Sequence, residues 1–109
     1  MNKHASIHIE VERDDKLDIE NINWSAAEAP SGEQKSKAML LAFWDAVNRQ
    51  SLRIDLWTKD MTIDDMNDFF FQTFLSMADT YKRATNNEDI AAEIKHFARA
   101  FAEKAVQKE

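Results

Sequence analysis

Cysteine is absent from the 109 residues, and proline and glycine occur once each, at Pro30 and Gly32. Without thiols there is no disulfide framework, no zinc–thiolate cluster and no cysteine nucleophile. With a single glycine there is no glycine-rich loop to cradle a phosphate, and no GKS or GKT follows Gly32. Long apolar runs are also missing. The longest, "AMLLAFW" at Ala38–Trp44, falls far short of the roughly 20 residues that span a bilayer. The opening "MNKHASIHIEVERDD" carries no apolar stretch resembling a secretory signal. No direct membrane insertion is therefore expected, and the cytoplasm is the expected compartment. Basic residues are in deficit, 14 against 20 acidic, for a formal charge of -6. That balance disfavours association with a phosphate backbone. Lys82, Arg83, Lys95 and Arg99 are interspersed with acids and alanines rather than gathered into a patch, so nucleic acid is not an expected partner.

What is present suits a folded chain: 44% apolar and 31% charged residues. The length fits one hydrophobic core, and a single compact α+β domain over residues 1–109 is expected.

In "SIHIEVE", Ile7, Ile9 and Val11 alternate with His8, Glu10 and Glu12, the period of a strand with one covered face. "RDDK" follows as a turn. "LDIENINW" puts Leu17 and Ile19 in one phase and Ile22 and Trp24 in the other, which a bulge near Glu20 and Asn21 reconciles. Ser31 and Gln34 stand at capping-box spacing, predicting a helix from there to about Asn48 with Met39, Leu40, Phe43, Trp44, Ala46 and Val47 on a broad buried face. "SLRIDLW" returns to alternation, Leu52, Ile54 and Leu56 against Arg53, Asp55 and Trp57. A long helix from Thr62 to about Thr85 has a narrow polar seam of Asp68, Gln72, Ser76, Asp79 and Arg83. A last helix, Glu88 to Val106, follows the asparagines of "TNNED", with Lys104 and Lys108 near its end in the sense favoured by the helix dipole.

The order is then β-β-α-β-α-α. It predicts an α+β fold with three helices packed on a three-stranded, mainly antiparallel sheet of spatial order 2-1-3, the third strand returning beside the first.

The run "LWTKDMTIDDM" gathers Asp60, Asp64 and Asp65 in six residues. Thr62 and Asp65 have capping-box spacing, and Asp64 in the first turn gains from the positive helix end. Capping is the favoured role. The alternative is a divalent-metal or small-molecule site built from the acidic segment 55–65, although the glycine and closing glutamate of a calcium-binding EF-hand loop are absent. Acid–base catalysis needs two carboxylates in different environments, whereas adjacent Asp64 and Asp65 diverge by about 100° on a helix. His4, His8 and His96 form no ligand pair, and Ser25, Ser31, Ser36, Ser51 and Ser76 lack a nucleophile-elbow context. No catalytic residue, cofactor or metal ligand is assigned, and an enzyme is not expected.

Aromatics offer more. Trp24 and Trp44 continue apolar patterns and are expected in the core, as are Phe70 and Phe74. Trp57 shares the Arg53–Asp55 face and points to a protein contact surface, with Arg53, Asp55, Trp57, Lys59, Phe71 and Leu75 as its candidate residues. The breadth of the apolar helices also makes a homodimer an expectation.

The stretch "LRIDLWTKDMTIDDMNDFFFQTFLSMADTYKRAT", preceded by "KAMLLAFWD" and followed by "FARAFAEK", resembles the gliding motility protein GldC family of Bacteroidota. The resemblance covers nearly the whole chain and is most specific over Leu52–Met66. It implies a small soluble accessory or adaptor protein of the gliding apparatus, on its cytoplasmic side, acting through protein partners and without an established reaction. It supplies no catalytic residues.

Overall fold

The structure is a computed structural model in which residues 3–27 and 32–106 are described. Five strands and two helices follow in the order β1 (Ile7–Arg13), β2 (Ile19–Ala26), β3 (Gln34–Ser36), β4 (Ala38–Asp45), β5 (Gln50–Trp57), α1 (Ile63–Thr85) and α2 (Glu88–Val106). They fall into two compact units, Met1–Met61 with all the strands and Thr62–Glu109 with both helices.

In the strand unit, β1, β2 and β3 form an antiparallel sheet in that spatial order. Val11 pairs with Ile22 and Ile9 with Trp24, so their side chains share one face. Glu12 pairs with Asn21 but Arg13 with Ile19, leaving Glu20 as the extra residue. This is the bulge that the phase change predicts, and it brings Ile19 into register with Ile22. The hairpin turn is organised by Asp14: its Oδ1 accepts the N–H groups of Lys16 and Asp18, at 2.9 and 3.0 Å. Leu17 takes a left-handed conformation there, φ 69°, a cost that a glycine would not carry.

The predicted helix to Asn48 does not form. Gln34–Ser36 pairs with β2, and Ala38–Asp45 pairs antiparallel with β5 in a separate two-stranded ribbon. Ser31, the proposed cap, lies outside the described residues, as does Lys108. The chain therefore has two helices rather than three among the described residues, and the order 2-1-3 is corrected: β2 is central in its sheet and β5 joins β4, not β1. The cause is the uniform apolarity of "AMLLAFW". Its alanines, leucines and methionine favour helix intrinsically, but a partner strand with clean alternation lies just beyond a tight turn, and pairing with it satisfies both backbones. Asp45 builds that turn by accepting from the Val47 N–H and from the Asn48 side chain, both at 3.0 Å. These bonds, the Asn48 side chain first, hold the Asp45 carboxyl below its ordinary pKa.

In the helical unit the expected boundaries hold. Thr62 caps α1: its Oγ1 accepts the Asp65 N–H at 3.0 Å, and the Asp65 carboxylate accepts the Thr62 N–H at 3.3 Å. Asn86 closes α1 in the left-handed conformation, its N–H donating to Lys82 O. Asn87 then opens α2, its Oδ1 accepting the Ile90 N–H at 3.1 Å. The helices pack on each other through small residues, with Ala78, Ala91 and Ala98 buried, and through a cluster in which the Phe74 ring meets Phe70, Phe97 and Phe101 edge-on. Lys95 bridges to Asp79 across the pair at 3.1 Å. Phe70 and Phe74 are thus part-buried in this cluster, and the polar seam of α1 is exposed throughout.

Candidate functional site

Asp60 and Asp65 of the acidic run after β5 are engaged in local structure. Thr58 is buried; its N–H donates to Lys37 O at 2.8 Å and its hydroxyl to Asp60 Oδ1 at 2.6 Å. Lys37 Nζ reaches the other Asp60 oxygen at 3.2 Å. Lys59 is held twice, its N–H donating to Ile19 O at 2.9 Å and its Nζ to Asp14 Oδ2 at 2.6 Å. The turn between Trp57 and Met61 therefore clasps the ribbon to the β1–β2 hairpin within the strand unit.

The electrostatics follow from these partners. The hydrogen bond from Lys59 holds the Asp14 carboxyl below its ordinary pKa, and the same bond raises the Lys59 ammonium above its own. Thr58 first, and Lys37 second, hold Asp60 down. All three groups stay charged near neutrality. Asp60 and Asp65 already serve a hydroxyl, an ammonium and a helix N-terminus, and among the described residues no three His, Asp or Glu side chains gather as a cation would require. His8 Nε2 lies 3.8 Å from Glu10 Oε1 on β1.

Of the six residues singled out from sequence, four belong to the strand unit and two to the helical unit. Arg53, Asp55 and Trp57 share a face of β5, with Arg53 Nη2 donating to Asp55 Oδ2 at 3.3 Å. Lys59 belongs to the clasp. Phe71 and Leu75 are part-buried on α1 in the helical unit.

Sequence reasoning missed the ribbon itself. Register places Met39, Leu41 and Phe43 opposite Leu56, Ile54 and Leu52, a face apolar at every position. Cover over it thins toward the tip, where Phe43, Leu52 and Ile54 are 56%, 50% and 48% exposed. The opposite face carries Trp57, 55% exposed, at the base and Trp44, 60% exposed, near the tip, where the Arg49 guanidinium lies 5.4 Å from the ring centre. Trp44 and Val47 are thus not in a core; Val47 is 91% exposed in the turn. Trp24 is only partly covered, its Nε1 donating to Ser36 Oγ at 2.8 Å. The signal available in advance was Asp45–Arg49 as a turn between two runs of equal length.

An apolar ribbon with aromatics on both faces can bind protein surface. No helix among the described residues is long and apolar enough to cross a membrane. Among protein families, the model of gliding motility-associated GldC-like proteins matches residues 19–107. No curated protein and no solved structure matches the chain.

Proposed function

Because the chain belongs to the GldC-like family of gliding motility-associated proteins, we propose that it serves the gliding apparatus as a non-catalytic accessory protein, docking a protein partner through the β4–β5 ribbon on the cytoplasmic side. The observation that supports this reading is the pair of exposed tryptophans, Trp44 and Trp57, on a ribbon whose other face is wholly apolar. Tryptophan is enriched where binding energy concentrates, because a large rigid surface is buried at small entropic cost. The Arg53–Asp55 pair lies between the two rings along the strands and supplies a polar element that fixes orientation.

Affinity capture from native cells, with wild type and Trp57→Ala side by side, tests the reading. The variant loses the enriched partner while its circular dichroism stays that of wild type. A folded Trp57→Ala chain that retains the partner defeats the anchor.

A further inference from the structure

We infer that two copies of this chain pair through the open edge of β5, strand against strand, to make a four-stranded sheet β4-β5-β5-β4 about a two-fold axis at Ile54. The inference rests on the ribbon being the contact surface proposed above, and adds a partner: a second copy.

Three observations carry it. First, β5 pairs only with β4 among the described residues, so the backbone N–H and C=O groups on its other side have no strand partner, and residues Gln50–Asp55 are exposed. A two-stranded ribbon is marginal in water, whereas four strands with one apolar face are not. Second, the sequence of β5 complements itself when run antiparallel. Centred on Ile54, Leu52 of one copy stands opposite Leu56 of the other, extending the apolar face across the axis. Arg53 stands opposite Asp55 twice, so the Arg53–Asp55 pairs of the two copies become a ring of four alternating charges. Third, on another open edge, β1, the register centred on Glu10 would set glutamate against glutamate, which disfavours that pairing.

The test uses the purified 109-residue chain without any partner. Light scattering of wild type gives twice the chain mass of 12.6 kDa. Arg53→Asp and Asp55→Arg each place like charges opposite each other and weaken the dimer by about tenfold or more. Mixing those two variants in equal amounts restores a mixed dimer, and the double swap of both residues in one chain restores self-pairing. The neighbours of Arg53 and Asp55 on β4 are Ala42 and Leu40, so the only like-charge contact a single change makes within the chain is between positions 53 and 55 themselves, and the double swap, which keeps those two opposite in sign, controls for it. Because the chain has no cysteine, Ile54→Cys introduces one thiol at the axis, where facing Cα atoms lie about 4.5 to 5.5 Å apart, within disulfide range. It forms a linked dimer on mild oxidation, and Val47→Cys at the exposed turn does not. A monomeric wild type, or charge variants that dimerise unchanged, overturns the pairing. A monomer whose Trp57→Ala form still loses its partner overturns the pairing alone and leaves the docking reading standing.

Discussion

Replacing Thr62 by alanine removes one half of a reciprocal cap and isolates its value. The hydroxyl satisfies the Asp65 N–H at 3.0 Å, and the Asp65 carboxylate returns a bond to the Thr62 N–H at 3.3 Å. Alanine leaves the second bond in place and exposes the first donor to water, so the loss falls near the centre of the capping range, about 1 kcal/mol. Unfolding entropies of about 2.1 cal/mol/K per residue convert this into a fall in Tm of about 4 °C if the 109 residues melt together. If the helical unit, 48 residues from Thr62 to Glu109, melts by itself, the same loss moves its transition by about 10 °C. Thermal melts followed by far-ultraviolet circular dichroism read the shift, and amide exchange at Asp65 reads the lost bond directly. A variant with unchanged Tm and unchanged exchange at Asp65 refutes the capping argument.

Other outcomes follow from the clasp and the helix pair. Asp14→Asn keeps the Oδ1 acceptor for Lys16 and Asp18 but removes the charge that faces Lys59. Since the Asp14 carboxyl is held below its ordinary pKa, its contribution is full above about pH 4 and is lost as pH falls through the folded value. Urea unfolding at stepped pH therefore shows wild type losing stability on acidification more steeply than the variant. The Lys59 ammonium, raised above its usual value by the same bond, contributes below about pH 10 and loses its effect as pH climbs past the folded value, so Lys59→Met flattens the alkaline limb. In the helical unit, Ala98 is fully buried, and Ala98→Leu overpacks the seam by about 1 to 3 kcal/mol, seen as a lower urea midpoint; an unchanged midpoint would show that the helices have room to separate.

Where a local rule had one solution, the sequence disclosed the structure. The bulge at Glu20 is required by the switch in phase between Ile19 and Ile22, and the ends of α1 and α2 are written in Thr62, Asp65, Asn86 and Asn87. Where two solutions existed, it did not. Ala38–Trp44 is apolar at every position, so neither the period of a strand nor that of a helix is marked, and local preference alone argues for helix. Only a long-range fact, the match in length and register with Gln50–Trp57, selects the strand. The same ambiguity hid the exposed ribbon: on a helix, Phe43 and Trp44 would both have faced a core, whereas on a strand they fall on opposite faces. Trp57 was legible because Arg53 and Asp55 mark its face as polar.

The double hold on Lys59 carries an evolutionary consequence. Its backbone is tied to Ile19 and its side chain to the turn at Asp14, so one added or deleted residue between Thr58 and Asp60 would pull both anchors out of reach together. Descendants of this chain can exchange the chemistry of many ribbon positions one at a time, but the spacing of that short segment is inherited as a fixed length.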